Sequence, residues 1–349
     1  MFVGVLMTST RRFTTIKDIA LEVGVSASVV SFVLNGSNGK SKRYCTDELR
    51  KKILKTALDL NYIPSNAASN LKGKPRNLIA VLIPQFYNEF FTQMVLEIEI
   101  ELEKEGYILA ICNTFDDPVR ESAIVKRMLS QRVDGFVIVP APNTEELTLS
   151  LIKRGLPLVV MDRYFQQVRE GYHSVLTQNY ESSKLACNEI IKAGHENIAF
   201  IDWNGGFGGL ELRHKAFEDL IKENNINKNK CLSLNGELKE EAGLLLTQKA
   251  LELNKNIEGI VYANHLYALS GIEYLLSQGR LPGKNISVSI VGAPRWAVSC
   301  LNDFTCVDLN GKGIGKKAAQ IMLNIIKGDL CGQFVHESIG CKLHKGKSI

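Results

Sequence analysis

Seven short apolar runs, separated by amphipathic segments, follow Leu78 along the chain. They are LIAVLIP at 78–84, YILAIC at 107–112, GFVIVP at 135–140, PLVVMD at 157–162, NIAFID at 197–202, EGIVYA at 258–263 and ISVSIVG at 286–292. Strands that alternate with helices in this way form parallel sheets covered by helices on both faces. Because a break near Gly171 divides the runs into two sets, the sequence predicts two doubly wound α/β subdomains with a cleft between them.

A different pattern precedes these strands, in the stretch TTIKDIALEVGVSASVVSFVLNG at residues 14–36. Thr15 and Asp18 have the spacing of a capping box, which predicts a helix that starts there and ends at Gly24. After a short turn, apolar residues at helical spacing predict a second helix over about 27–34. Two helices joined by a short turn that contains Gly form a helix-turn-helix, whose second helix enters a DNA major groove.

A third helix is predicted from Thr46 or Asp47 to about Leu60, and it completes a small all-α head. Its apolar side chains are expected to pack against the first two helices, and they are Leu49, Ile53, Leu54, Ala57 and Leu58. Residues 1–76 contain 13 Lys and Arg against 5 Asp and Glu, a net charge of +8, whereas the remainder has 29 against 32, a net charge of −3. The head is therefore the part that is expected to meet a polyanion.

The three helices and the segment NYIPSNAASNLKGK at 61–74 together resemble the head of the LacI/GalR family of bacterial transcription regulators. The resemblance extends over roughly residues 14–340 and implies a repressor that binds a palindromic operator as a homodimer. It also implies control by a small effector and a body like a periplasmic sugar-binding protein. In the family, the segment after Tyr-x-Pro forms a hinge helix on DNA, and its leucine enters the minor groove and kinks the duplex. Leu71 falls on that leucine, and Ala68 falls on the small hinge residue before it.

Helix-turn-helix pattern and resemblance together predict twelve DNA-contacting residues. They are Lys17, Ser26, Ala27, Ser28, Val29, Ser31, Phe32, Lys42, Arg43, Asn66, Ala68 and Leu71. The side chains at 27–29 can touch a thymine methyl or offer a hydroxyl, but they cannot make a bidentate contact with guanine. The basic residues contact phosphates, which sets affinity rather than sequence choice. Phe32 stands where the family usually has Arg, and a place in the core is the alternative for it.

Four segments are predicted along the chain. Residues 1–13 are a disordered arm or follow a mis-assigned start, 14–63 are the DNA-binding domain, 64–76 are the hinge, and 77–349 are the effector-binding and dimerisation domain. By resemblance, the first lobe of the body takes about 77–176 and 309–330, and the second takes about 177–308 and 331–349. The chain is then expected to cross between lobes near Thr177, near Asp308, and between Lys327 and Phe334.

The resemblance places the effector between the lobes, at the carboxyl ends of the strands. The predicted contacts are Phe90, Phe91, Asp162, Arg213, Asn264 and Arg295. A core role is the alternative for the two phenylalanines. A cap or an inter-lobe salt bridge is the alternative for Asp162. A buried arginine needs an anionic partner or one with several acceptors, which makes Arg213 the strongest of the six candidates.

Two departures from the family change the chemistry expected of this site. His265 follows Asn264 where the family has Asp, and Gly292-Ala293-Pro294-Arg295 replaces a Gly-aromatic-Asp-Asp motif whose first Asp binds the ligand. Fewer carboxylates favour a sugar acid or a sugar phosphate over a neutral sugar. The alternative is a degenerate pocket, with the regulator controlled by a protein partner.

Other classes of protein fit the sequence poorly. NGGFGGLE at 204–211 lacks the third glycine of the dinucleotide fingerprint, and GKGIGKK at 311–317 is one residue too short for a P-loop. No pattern predicts a catalytic residue, a cofactor or a metal site. A sugar-binding transport protein would match the body but not the basic head. Eight cysteines without metal-ligand spacing predict free thiols and a cytoplasmic protein with no membrane partner.

Overall fold

The computed structural model describes residues 14–34, 45–63, 75–165, 171–203, 209–237, 239–299 and 303–349. Over these residues it has eleven α-helices and twelve strands. The chain divides into two compact units, residues 1–74 and residues 75–349. The first unit is all-α and the second is α/β with two largely parallel sheets, so the predicted fold class is confirmed.

The first unit is a cluster of three helices around one small core. Its helices are α1 (Ile16–Val23), α2 (Ala27–Leu34) and α3 (Asp47–Asp59). The side chains that this core buries are Ile19, Ala20, Val23, Val30, Val33, Ile53 and Ala57. Each helix therefore contributes one narrow apolar stripe, as expected of helices that each contact two others.

Two of the five apolar residues predicted to be buried on α3 are exposed instead. Leu54 is 41% exposed and Leu58 is 77% exposed, whereas Ile53 and Ala57 lie in the core. The reason is geometric: α1 and α2 have only eight residues each, so together they cover a single i, i+4 stripe of α3.

The second unit contains two lobes, each built on a six-stranded sheet. The strands of the first lobe are β1 (Leu78–Ile83), β2 (Ile108–Asn113), β3 (Gly135–Ile138), β4 (Leu158–Asp162), β5 (His173–Thr177) and β11 (His336–Ile339). Its helices are α4 (Glu89–Glu103), α5 (Pro118–Ser130), α6 (Glu145–Lys153) and α11 (Gly311–Lys327). The strands of the second lobe are β6 (Ile198–Trp203), β7 (Leu232–Gly236), β8 (Gly259–Tyr262), β9 (Ser287–Val291), β10 (Thr305–Asp308) and β12 (Lys342–His344). Its helices are α7 (Asn179–Lys192), α8 (Glu211–Glu223), α9 (Glu240–Leu253) and α10 (His265–Ser277).

Strand order reverses at one point in each sheet. The first sheet runs β11-β5-β4-β3-β1-β2 and the second runs β12-β10-β9-β8-β6-β7, with every pair parallel except β10 and β12. The central strands β3, β8 and β9 are buried along their whole length, so their residues are predominantly apolar, and Ser287 and Ser289 are the polar exceptions in β9. Beside β1 and beside β6 the order changes direction, and ligands of doubly wound folds bind at the carboxyl ends of strands at such switch points.

The chain crosses between the lobes three times. It leaves the first sheet after Thr177 and the second sheet after Asp308. The third crossing lies at residues 340–341, between β11 and β12, rather than between Lys327 and Phe334 as the resemblance suggested. The strand His336–Ile339 pairs in parallel with β5, so it belongs to the first lobe although three of the four residues of its sequence, HESI, are polar. Because this strand lies at the sheet edge, alternate residues are exposed. It therefore has no apolar run by which the sequence could predict it.

Helix α11 lies against α4, and glycines allow the close approach. A side chain at Gly315 would overlap the carbonyl oxygen of Met94, and one at Gly311 would lie 2.8 Å from the carbonyl oxygen of Phe90. This packing holds the first turn of α4 at the cleft between the lobes. No helix in the described part of the chain is long and apolar enough to span a membrane.

Candidate nucleic-acid interface and ligand cavity

Local hydrogen bonds fix the start of each helix of the head. The Thr15 amide donates to Asp18 Oδ2 at 2.8 Å and the Asp18 amide donates to Thr15 Oγ1 at 3.4 Å, which is a complete capping box. Gly24 ends α1 at φ 80°, a conformation that glycine adopts without strain. Ser26 Oγ then accepts from the Val29 amide at 3.4 Å and starts α2. The predicted helices and turn are therefore confirmed.

Seven of the residues predicted to contact DNA are described, and they lie on α1, on α2 and in the turn between them. Lys17, Ser26 and Ser28 are exposed, and Ala27 and Val29 are half-buried. Val30 and Val33 on the opposite face of α2 fill the core. The amino-terminal end of α2 is thus held rigidly with small side chains outward, as a helix that reads a groove requires. Lys42, Arg43, Asn66, Ala68 and Leu71 lie outside the described residues.

Two other positions of the head refine the picture. Ser31 and Phe32 are both half-buried, so Phe32 occupies neither the centre of the core nor a fully solvent-exposed site. Lys52 Nζ donates to the carbonyl of Val23 at 3.4 Å, at the carboxyl end of α1. A cation there complements the helix dipole, so this lysine stabilises the helix pair in addition to adding positive charge.

In the second unit, a cavity lies between the lobes at the carboxyl ends of strands from both sheets. About 450 Å³ there is not filled by protein atoms, part of it open to solvent. The lining residues are Asn88, Phe90, Phe91, Asp162, Arg163, Trp203, Leu210, Arg213, Asn264, His265, Val291 and Leu309. Five of the six predicted effector contacts are among them.

Asp162 and Arg163, at the end of β4, form the first-lobe side of the cavity. Asp162 has φ 63°, a left-handed conformation that is uncommon outside glycine and frequent at functional sites. Its Oδ1 accepts a 2.6 Å hydrogen bond from the hydroxyl of Thr177. Arg163 is buried, forms an ion pair with Asp116, and donates to the carbonyl of Pro140 at 3.1 Å.

The guanidinium of Arg163 also joins the two lobes. It lies over the ring of Phe91 at 5.9 Å and over the ring of Trp203 at 5.2 Å, measured to each ring centroid. Phe91 belongs to the first lobe and Trp203 ends β6 of the second. Cation–π contacts of this kind stabilise by about 0.5–2 kcal/mol. Because the two rings belong to different lobes, a relative movement of the lobes changes these contacts.

Arg213, in the first turn of α8, forms part of the second-lobe side and is 7% exposed. Its Nε donates to Asn179 Oδ1 at 2.8 Å and its Nη1 donates to the carbonyl of Ala263 at 2.6 Å. Both acceptors are neutral. Burial lowers the pKa of Arg213, and the charges of Asp202 and Asp162 act in the opposite direction.

Two titratable groups beside Arg213 have shifted pKa values. Burial, with a smaller contribution from the charge of Arg213, lowers the pKa of His265 to about 4, so this imidazole is neutral at physiological pH. Burial raises the pKa of Asp202, and the charge of Arg213 opposes that shift. Asp202 Oδ1 accepts from the Trp203 amide at 2.7 Å, which fixes the end of β6.

Asparagines on both sides of the cavity serve as helix caps. Asn88 Oδ1 accepts from the Phe90 amide at 3.0 Å and Asn264 Oδ1 accepts from the Leu266 amide at 2.8 Å. With each oxygen in use, the side-chain NH2 groups are what these residues offer a ligand. Phe91 is buried in the first-lobe core, and Phe90 packs against the cores of both lobes.

Arg295 does not line this cavity, and its side chain is exposed. Its amide donates to Glu89 Oε2 at 2.9 Å, which is a second link between the lobes. Gly292 has φ 103°, and the chain that follows turns so that Ala293 and Pro294 line a neighbouring space with His265. The turn directs the Arg295 side chain away, which the sequence motif alone did not indicate.

Comparisons with known proteins identify the architecture. Residues 15–65 match the lacI family of bacterial regulatory proteins, and residues 79–330 match a periplasmic binding protein domain. The chain belongs to the lacI family of bacterial regulatory proteins. It is therefore a DNA-binding transcription regulator and not an enzyme.

Curated relatives of this lacI-family regulator cover most of its length. The chain is 31% identical to the probable HTH-type transcriptional regulator EndR of Paenibacillus polymyxa over 66% of this chain and 67% of that protein. It is 28% identical to the HTH-type transcriptional repressor PurR of Aliivibrio fischeri over 90% of this chain and 92% of that protein.

Solved structures share the fold. The lac repressor dimer bound to operator and the anti-inducer ONPF superimposes with a TM-score of 0.80 at 21% identity, over 97% of this chain and 99% of that chain. The transcriptional regulator CelR in complex with cellobiose gives 0.70 at 18% identity, over 96% of this chain and 100% of that chain.

Several residues of the regulator's cavity escaped the sequence analysis. Trp203 ends β6, Asn88 caps the helix after β1, and Asn179 orients Arg213. All three lie just after or at the carboxyl end of a strand, and that position is the signal that would have found them. Asp116 carries the same signal, because it follows β2 by three residues, but only the tertiary fold shows that it pairs with Arg163.

Proposed function

We propose that this regulator is a transcriptional repressor that binds a palindromic operator as a homodimer and whose affinity depends on a small effector. The observation that carries the proposal is the exposed, small-residue amino-terminal end of α2 on a rigid three-helix head. A head with such a helix reads one half-site, and two-fold symmetry of the protein matches two-fold symmetry of the DNA. Relatives named as repressors support the choice of repressor over activator.

The hinge contributes the second part of DNA recognition in this proposal. Leu71 enters the minor groove beside Ala68, and Asn66, Lys42 and Arg43 contact the backbone. Leu71→Ala is expected to retain the fold and to lose most of the specific operator affinity, because the apolar wedge that kinks the duplex is gone. Gel-shift titration with operator and with random DNA measures this, and unchanged operator affinity would contradict the hinge assignment.

Dimer formation accounts for apolar side chains that the second unit leaves exposed. On the first lobe these lie on α4 and the edge strand β2, and they are Leu96, Ile100, Ile108 and Ile111. On the second lobe they are Leu245, Leu253, Leu276 and Leu281. Exposed apolar side chains beside an open sheet edge are typical of an interface between proteins. Ile108→Glu is expected to shift sedimentation from dimer to monomer, whereas Lys312→Glu, an exposed change on α11, leaves the dimer intact.

The effector is proposed to bind in the inter-lobe cavity, in contact with Phe90, Phe91, Asp162, Arg213 and Asn264. A ligand that touches both lobes favours one degree of closure, and closure moves the segments that lead to the two heads. A coupling free energy of about 1–3 kcal/mol is sufficient to change operator occupancy by one to two decades. Such a ligand would meet the contact between Arg163 of the first lobe and Trp203 of the second lobe.

Selection of genomic fragments by the full-length protein tests the proposal. Fragments are bound at about 0.15 M salt, where non-specific phosphate contacts are weakened, and the retained DNA is sequenced. Enrichment of one palindromic sequence supports a specific repressor, and the neighbouring genes indicate the pathway of its effector. Diffuse retention without an enriched sequence would contradict the proposal.

A further inference from the structure

The chain enters the first lobe at residues 76–78, directly before and at the start of β1, and one carboxylate holds this junction. Asp134 Oδ1 accepts from the Arg76 amide and Asp134 Oδ2 accepts from the Leu78 amide, both at 3.0 Å. The Asp134 amide in turn donates to the carbonyl of Leu78 at 2.8 Å. Both oxygens of Asp134 therefore bind the backbone of the junction. Hydrogen bonds to a charged group are about twice as strong as those between neutral groups.

The strand β2 holds the junction from the other side. The amide of Ile108, the first residue of β2, donates to the carbonyl of Asn77 at 2.9 Å. Asn77 has φ 54°, a left-handed conformation that is uncommon outside glycine and that asparagine adopts more often than most residues. Because β1 lies between β2 and β3 in the sheet, three consecutive residues of the junction are bound from both sides.

Close packing fixes the position of Asp134 itself. Gly135 follows it and begins β3, and a β-carbon at Gly135 would lie 2.7 Å from Met322 Sδ of α11. In the first turn of the same helix, a β-carbon at Gly311 would lie 2.8 Å from the carbonyl oxygen of Phe90, which lines the cavity. Helix α11 therefore contacts the cleft at its first turn and, farther along, the neighbour of Asp134.

The junction lies at the amino ends of the strands, whereas the cavity lies at their carboxyl ends. Residues 64–75, which we call the tether, join the head to this junction. The tether has a fixed starting point only while the backbone of 76–78 stays paired. When the pairing is lost, Arg76 and Asn77 become part of the tether and add up to about 7 Å of reach in each subunit. Two base pairs of B-DNA also span about 7 Å.

We propose that Asp134 is a positioning residue for operator recognition, which fixes the point where the tether leaves the first lobe and so sets the half-site spacing that the dimer accepts. The inference rests on the proposed function, because half-site spacing matters only for a dimer on a palindromic operator. Asp134 does not contact DNA in this proposal, and it acts through the backbone of Arg76 and Leu78.

A series of operators tests the proposal. The palindrome obtained from the genomic selection is synthesised with its own spacing and with two base pairs inserted or removed at its centre. Fluorescence anisotropy measures the affinity of the full-length protein for each. Wild type is expected to prefer the selected spacing by about tenfold or more, because two base pairs shift a half-site by about 7 Å and rotate it by about 70°. Asp134→Ala is expected to lower that preference by about threefold or more. No preference in wild type, or an unchanged one in folded Asp134→Ala, would overturn the inference.

Two further variants separate the reach of the tether from damage to the fold. Asp329→Ala removes an exposed aspartate from the same lobe and is expected to keep the wild-type preference. Insertion of Gly-Gly after Lys74 lengthens the tether while Asp134 stays in place, and it is expected to relax the preference as Asp134→Ala does. Because each preference is a ratio within one protein, the change in net charge cancels. A wild-type preference in the insertion variant would contradict the inference.

Hydrogen exchange of the free, full-length protein tests the anchor without DNA. Peptides that contain the Arg76 and Leu78 amides are expected to exchange about tenfold or more faster in Asp134→Ala than in wild type. Asp134→Asn keeps one acceptor oxygen, so it is expected to lie between them, and it replaces the alanine variant if circular dichroism shows that variant unfolded.

The exchange result also separates this inference from the proposed function. Equal exchange in wild type and in both Asp134 variants would overturn the anchor whatever the selection gives. A failed genomic selection would remove the proposed repressor, while exchange would still decide whether Asp134 holds the junction.

Discussion

Ile53→Ala is the substitution that most sharply tests how the head is held together. Ile53 is fully buried on α3, and it is one of seven buried side chains in the described part of the head's core. Removal of three carbons from such a site costs about 2–5 kcal/mol. A head of this size has a total stability of about 3–8 kcal/mol, so the substitution removes a large fraction of it.

Hydrogen exchange of the full-length protein measures the effect within the head. Amides of α1 and α3 are expected to lose protection by a factor of about 30 to several thousand, at 1.4 kcal/mol for each tenfold change. Leu58→Ala is the matched control, because Leu58 lies on the same helix and is exposed, and it is expected to change stability by less than about 0.5 kcal/mol. Equal loss of protection in the two variants would refute the packing described for α3.

Three further predictions concern other parts of the chain. Lys17→Ala is expected to weaken binding to all DNA sequences alike and to lower the slope of log K against log salt by about 0.9 per subunit, measured by fluorescence anisotropy. Gly315→Ala is expected to lower the free energy of unfolding by about 1–3 kcal/mol in chemical denaturation, because the new methyl group meets the Met94 carbonyl. Gln320→Ala, an exposed change on the same helix, is the control and is expected to be near neutral. Burial raises the pKa of Glu121 to about 7, so the folded protein favours the protonated carboxyl group. The stability that this group contributes is fully present below pH 4.5 and is lost as pH rises through 7. Wild type is therefore expected to lose up to about 3 kcal/mol between pH 5 and pH 8 relative to Glu121→Gln, and parallel pH profiles would refute this.

Local signals in the sequence are sufficient for the head. The capping box of Thr15 and Asp18, the glycine at 24 and the Ser26 cap each act within four residues, so their outcome does not depend on the rest of the fold. The same holds for the central strands, because a strand buried on both faces is predominantly apolar. The exposure of Leu58 was not predictable in this way, because it depends on how much of α3 two short helices can cover.

The candidate effector site shows where sequence reasoning ends. The resemblance placed Phe90, Asp162 and Asn264 at the cleft, and the structure places them there because parallel strands bring their carboxyl ends together. The neutralisation of Arg163 by Asp116 and the outward turn of Arg295 depend on tertiary contacts and on the backbone at Gly292. These contacts decide where each arginine lies relative to the cavity, and only the structure contains them.

Hydroxyl-radical footprinting of the full-length protein on the selected operator tests the central claim most directly. Two heads on two half-sites predict two protected regions related by a two-fold axis and separated by about one helical turn of DNA, or a multiple of it. The central base step, where Leu71 is proposed to enter, is expected to show altered reactivity. Protection of one asymmetric half-site, or uniform weak protection that disappears with salt, would contradict a dimeric, sequence-specific regulator.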